Sequence, residues 1–326
     1  MTNPIQFNNE KYDNLLKDLT FTKEKNNCFM SNEYFRIIRD LVESDNLKSV
    51  HAGFAYSYMY LQTYMYRYAT YNNYVPSVAQ IKELFNYNPK KQVLDYIIKK
   101  DGLLDDVGLT TTEGFEKKEV NFPILVEMKD KEPVFTLAHE LDVEGEFLNQ
   151  WKKKVKVTNR STLKKPVLAF HSNVEDKDFM GTFFHAEDFT NVPFEVLAFC
   201  LSHDNLGADA FYVYSYIKHK NDIHDDYTAT HKVIARELGL KERKTYDIMV
   251  ALREHNLLSL DYNMEFFSVA IAKEERKASS LTVNEYVNSF SIEKLDLKKI
   301  KVVSEKKYKQ MQSDKNYSID ESQLPF

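Results

Sequence analysis

Between Ala235 and Leu258 the chain carries cations and an aromatic at a spacing suited to hydrogen-bonded recognition rather than to bond making. Arg243, Tyr246, Val250 and Arg253 fall on one side of a predicted helix over residues 242–255, and Thr245, Ile248, Met249 and Leu252 fall on the other. The second set would pack on a core. The first, with Lys244 beside it, would face outward. An arginine so presented can bond guanine through two parallel donors, and a lysine can hold a phosphate. A similar set occurs earlier: Gln92, Tyr96 and Lys99, with Pro89, take the outward positions of a predicted helix over residues 90–100. Glutamine matches adenine in the same two-bond way.

The flanking residues supply the elements that would hold these side chains. Thr230 caps a predicted short helix ending at Leu238, and Gly239 can turn the chain in the left-handed conformation at little cost. Ala235 is small enough for two helices to cross closely. A strand begins at residues 256–258, with residues 264–270 as its expected return. Upstream, a lead-in over residues 29–41 precedes a long helix over 51–71, and Ser77 caps a short helix to Phe85. Asp101-Gly102 stops the helix over 90–100, and Leu103-Leu104 starts an extended segment. The two halves align without a gap at an offset of 154 residues, with Gly53 against Gly207, Glu83-Leu84 against Glu237-Leu238, and Leu103-Leu104 against Leu257-Leu258. Matches at the structural punctuation point to duplication of one module. Strands are expected over residues 122–128, 133–141 and 166–171.

This helix, glycine turn, helix and strand order resembles the winged-helix (helix-turn-helix) modules of bacterial and phage DNA-binding proteins, over about fifty residues in each half. The resemblance implies that the second helix of each pair enters the major groove and that the following hairpin touches backbone or minor groove. The first half departs from the pattern, since its turn reads Asn-Tyr-Asn-Pro with no glycine.

The chain has 44 lysines and arginines against 49 acids, a formal net charge of −5, so an attraction for a polyanion must rest on where the cations lie. The densest run is residues 152–165, KKKVKVTNRSTLKK, with no acid. Lys152, Lys153, Lys154, Lys156 and Arg160 are therefore candidate phosphate contacts, expected on a loop or hairpin between the modules. A second cluster between Lys294 and Lys309 is diluted by acids and is weaker.

Residues 318–326 read SIDESQLPF. They resemble the acidic tips of bacterial single-stranded-DNA-binding proteins, although only Asp320 and Glu321 are acidic and Ser322-Gln323 intervene. The resemblance implies a docking peptide, formed by Asp320, Glu321, Leu324, Pro325 and Phe326, for a host replication or repair protein.

Other chemistry is unsupported. With eight glycines and neither GxGxxG nor GxxxxGK[ST], phosphate-cradling loops are missing. Cys28 and Cys200 suggest neither a disulfide framework nor a zinc site. Tyr56, Tyr60, Tyr64, Tyr68 and Tyr71 form one helical stripe. A nicking tyrosine would need a His-hydrophobic-His metal motif, which the sequence lacks, so the stripe reads as core packing or a homodimer face. His203-Asp204 and His224-Asp225-Asp226 read as caps and surface loops, and Asp105-Asp106 as exposed acids where a wing begins. Signal-peptide and membrane-span patterns are lacking, and a reducing cytoplasm is the expected compartment.

The expected fold is α+β, mainly helical, with two winged-helix domains and short β hairpins. The divisions are a first domain over 1–130, a connecting segment over 131–190, a second domain over 191–272 and a flexible tail over 273–326. The expected function is sequence-specific binding of double-stranded DNA without catalysis, cofactor or metal. Tandem modules with such a tip resemble plasmid replication initiators and phage replisome organisers. A transcriptional repressor of a mobile element and a protein-interaction or decoy protein are the alternatives.

Overall fold

The computed structural model describes residues 10, 27–72, 75–114, 122–129, 132–141, 146–157, 162–172, 181–184, 188–285 and 289–320. The lead-in resolves into strand β1 (Asn27–Ser31) and helix α1 (Glu33–Glu43). Helix α1 buries Tyr34, Phe35, Ile38 and Leu41 on one face and pairs Arg36 with Glu33 and Asp40 on the other. The predicted long helix is α2 (Ala52–Arg67), buried at every residue from Ala52 to Tyr66. A helix with no polar face belongs at the centre of a fold. Its tyrosine stripe is core: Tyr56, Tyr60 and Tyr64 are fully buried. Helix α3 (Val78–Leu84) starts at Ser77, which closes a capping box with Gln80.

The next element departs from expectation. Only α4 (Asp95–Ile98) forms where a helix over 90–100 is predicted, followed by α5 (Leu103–Asp106) in place of an extended segment, and then β2 (Thr110–Gly114). The cause of the first change is Lys82. Its ammonium is buried and donates to the Lys91 carbonyl at 2.7 Å while pairing with Asp95 at 2.5 Å. In an uninterrupted helix that carbonyl would accept from the Asp95 N–H, which turns instead to Gln92 O at 3.1 Å. The helical turn of α5 is fixed by Gly102 O, which accepts from the N–H groups of both Asp105 and Asp106, and by buried Leu104.

Strands β3 (Pro123–Lys129) and β4 (Glu132–Leu137) pair, and the expected strand over 133–141 ends early in α6 (Ala138–Leu141). Helix α7 (Glu146–Lys154) inserts Leu148 and Trp151 into the core, with Trp151 Nε1 donating to Tyr71 O at 2.9 Å. Strand β5 (Thr162–Pro166) then pairs antiparallel with β2. The segment 131–190 is thus not a mere connection, because β5 completes the ladder of the first half. Strands β6 (Ala169–Ser172) and β7 (Gly181–Phe184) form a further antiparallel pair.

The second half runs through β8 (Phe189–Pro193), α8 (Phe194–Ser202), α9 (Gly207–Ile223), α10 (His231–Leu238), α11 (Glu242–Glu254) and β9 (Leu258–Asp261). The predicted signals act here as written: Thr230 Oγ1 caps α10, and Gly239 takes φ 65°. The return strand differs. Residues 266–267 form β10 (Phe266–Phe267), and β9 pairs instead with β11 (Ser280–Val283), whose Leu281 and Val283 face inward. Non-local bonds decide this, since Tyr227 O accepts from Leu281 N and Asn221 Oδ1 from Val283 N. Strand β12 (Lys301–Val302) lies parallel to β10, and α12 (Glu305–Asp320) follows. The expected flexible tail is therefore corrected over much of its length. Phe290 and Val303 are buried, and burial of the phenylalanine alone contributes about 1.5–3 kcal/mol.

The halves meet along β1 and β8, which pair antiparallel from Asn27 opposite Pro193 to Ser31 opposite Phe189. Helices α2 and α9 touch at Gly53, where an added Cβ would sit 2.6 Å from Asp209 Cα, so only glycine permits the approach. Arg39 of α1 reaches Glu237 of α10 at 3.6 Å, and Ser49 Oγ donates to Gly239 O at 2.7 Å. One apolar cluster runs through both halves. The architecture is α+β and mainly helical, with five antiparallel two-stranded ladders and one parallel among the described residues. Among them no helix is long and apolar enough to cross a membrane.

Candidate nucleic-acid interface

Helix α11 carries the best-formed set of outward side chains. Thr245, Ile248, Met249 and Leu252 are buried against the core as their spacing predicts. On the opposite face the Arg243 side chain is 84% exposed, and Tyr246 is also exposed. Arg243 Nε donates to Asp247 Oδ2 at 3.2 Å, and its guanidinium stands 5.6 Å from the Tyr246 ring centre. The ring is edge-on to His231 at 5.5 Å. An exposed pair such as Arg243–Asp247 contributes well under ~1 kcal/mol, so a phosphate or base can displace the carboxylate. Lys241 forms the N-cap without a side-chain bond. A groove beside the helix brings Lys241, Arg243, Lys244 and Lys294 together against Asp247 and Glu254.

Two predicted contacts on this helix have structural partners. Lys244 Nζ pairs with Asp209 Oδ2 at 2.5 Å, which ties α11 to α9 beside the Gly53 crossing. Arg253 Nη2 donates to the Lys298 carbonyl at 3.2 Å. Each cation lies at the border of the outward face with a partner already in hand.

The first-half set does not assemble on a helix. Gln92 is exposed but precedes α4 in a non-helical stretch. Tyr96 OH accepts from the Lys48 N–H at 3.3 Å and lies 2.9 Å from His51 Nδ1, so this half-buried ring braces the loop before α2. Burial, with nearby Lys48, holds the His51 pKa below its usual value. Lys99 is exposed, but its carbonyl accepts from Lys164 Nζ at 3.1 Å.

The basic run divides into unlike parts. Lys152, Lys153 and Lys154 end α7, where cations suit the negative end of the helix. Lys156 is exposed with φ 57°, and Arg160 lies outside the described residues. Lys164, by contrast, is buried in β5 and pairs with Asp105 Oδ2 at 2.7 Å. The expectation that Asp105 is an exposed acid is corrected here. Its carboxylate also accepts from Thr110 Oγ1 at 2.5 Å, Thr112 Oγ1 at 2.6 Å and the Asp101 N–H at 3.0 Å. Burial alone would raise its pKa, but bonds from Lys164, Thr110 and Thr112 prevail and hold it below the ordinary carboxylate range.

The side chain of Asp320 and the residues Glu321, Leu324, Pro325 and Phe326 lie outside the described residues. Among the described residues no group of three His, Cys, Asp or Glu side chains could hold a metal ion. Cys28 and Cys200 are fully buried, and burial pushes both thiols up, away from the reactive thiolate.

Sequence reasoning underweighted one group. Residues 289–301 run beside the C-terminal end of α11 and bring Lys294 to the groove beside that helix and Lys298, Lys299 and Lys301 to a second groove beside residues 260–265. Glu293 and Asp296 diluted the charge signal. Phe290 was the apolar signal that the segment is docked, whereas Ile292 and Leu295 stay exposed. No known protein family, curated protein or solved structure matches this chain.

Proposed function

We propose that the chain binds double-stranded DNA sequence-specifically, that its second half works as a winged-helix module, and that α11 is the base-reading helix. The observation carrying this is the division of α11: four side chains bolted to the core, and Arg243 and Tyr246 outward on the opposite face beside further lysines. A helix held this rigidly presents its donors at fixed spacing, as reading of base edges requires. In this reading ladder β9–β11 is the wing that touches backbone.

The first half is read as a relative of the same module whose second helix no longer reads bases. Binding involves no covalent step. In the narrower form of the proposal, the protein starts replication of a plasmid or phage, and a peptide of the Asp-Glu to Leu-Pro-Phe kind draws in a host replication or repair protein. Selection of bound duplexes from a random pool should enrich one short motif, and Arg243→Ala should relax the preference at one position of it. A pool that stays flat with the parent protein defeats the proposal.

A further inference from the structure

We infer that residues 289–301 form a phosphate-binding strap, a third element of the interface that holds the DNA backbone beside the stretch read by α11. The inference rests on the duplex-binding reading above and adds a site to it.

The strap is pinned by its backbone. Asn256 Nδ2 donates to Ser289 O at 2.8 Å, Ser291 N to His255 O at 2.9 Å, and Leu295 N to Glu254 O at 2.8 Å. His255 Nδ1 lies 2.8 Å from Ser291 O, and Phe290 fills a buried site against Phe199 at 5.2 Å. Further on, the Lys298 carbonyl accepts from both Arg253 Nη2 at 3.2 Å and Tyr262 OH at 3.1 Å. One carbonyl thus joins the helix, the strap and the loop after β9. Strand β12 then fixes Lys301 opposite Phe266.

Bonds at Ser289, Ser291, Leu295 and Lys298 hold the strap to the fold, and its side chains carry four lysines against Glu293 and Asp296. Lys298, Lys299 and Lys301 are exposed and line a second groove with Asp261 and Glu265. The groove beside α11 likewise holds more cations than carboxylates. The chain as a whole carries −5, so a local excess of positive charge in two grooves lined by the strap runs against the average. Lysine is a point charge without the planar fork that reads bases, which suits phosphates and not sequence. The fixed backbone also means that little ordering entropy opposes contact.

The test uses the full chain and a duplex of the selected motif flanked by about ten base pairs, one helical turn, on each side. Changing Lys298, Lys299 and Lys301 together to Gln should reduce the slope of log affinity against log salt by roughly 2–3, from about 0.9 per phosphate lost. The hydroxyl-radical footprint should shorten on one flank, and the preferred motif should stay the same. All three side chains are exposed, so an unchanged melting temperature will show that folding is intact. An unchanged slope and footprint, while Arg243→Ala still weakens binding to the selected motif over random duplex, overturns the strap and leaves the base-reading role standing. Tighter binding by the triple variant also overturns it, since the strap would then be covering the site. No duplex binding by the parent chain overturns both.

Discussion

The two halves share a plan and diverge at the same two places. After their first short helix, the second half turns on Gly239 and runs straight into α11, whereas the first turns on Asn86 at φ 63° and reaches only the four-residue α4. Between turn and α4 the buried Lys82 ammonium claims the carbonyl that a longer helix would need. At the base of the ladder the second half sets Leu258 opposite Val283, both buried, and the first buries the Asp105–Lys164 pair. Related patterns of apolar residues therefore yield a surface helix in one half and a polar, hydrogen-bonded brace in the other. A single buried cation changes what the backbone around it can do, because its own need for acceptors must be met first.

This contrast can be broken most severely at the ion pair. Asp105→Ala leaves Lys164 buried without its carboxylate and should lower stability by about 3–5 kcal/mol in urea unfolding. Replacing both residues by apolar ones of similar size should recover much of that loss. If Asp105→Ala alone is silent, the brace has no structural weight.

Next in size is the comparison of the reading faces. Arg243→Ala should weaken specific duplex binding by about 1–3 kcal/mol, measured as the difference between selected and random duplexes. Gln92→Ala, outside any helix, should leave that difference unchanged. Equal losses from the two variants would restore the first half as a second reader.

The turn provides a smaller effect. Gly239→Ala forces a side chain into left-handed backbone and brings its Cβ to 3.0 Å from Val42 Cβ, for a loss of about 1–2 kcal/mol. Thermal unfolding of the variant against the parent measures it, and a loss near zero would mean the turn relaxes.

The mildest effect is on pH. Burial holds His203 and His219 below the usual histidine pKa. The unfolded chain then binds more protons just below the ordinary value of 6.5, so stability should start to decline as pH falls through it. Asp105, shifted down, contributes stability above the ordinary aspartate value of 3.8 and loses it progressively from there as pH falls through its lower folded value. Urea midpoints from pH 7.5 to 3 should show these as two separate declines, and the upper one should shrink in His203→Gln/His219→Gln, with His51, also shifted down, supplying what remains.

Legibility followed the range of the interactions. Thr230, Gly239, Ser77 and the two faces of α11 were readable because caps, turns and helical spacing act within a few residues. The truncation of α4 was not, since it depends on Lys82 meeting a carbonyl nine residues away through a fold that sequence spacing does not display. Asp105 looked like surface because its partner Lys164 arrives only when β5 returns to β2. The return strand was misplaced because residues 264–270 and 280–283 are both strand-like, and Tyr227 and Asn221 choose between them. The strap was hidden by its own acids.

The ladder between β1 and β8 also sets a timetable. Thr190 Oγ1 donates to Asn32 Oδ1 across 158 residues of chain, so the first strand leaves the ribosome long before its partner exists. At about 5–20 residues per second that interval is roughly 8–30 s. Throughout it Cys28 and Met30, fully covered in the finished protein, have no strand to cover them. A nascent chain halted between the two strands should therefore be the form that chaperones hold and that aggregates when they are depleted.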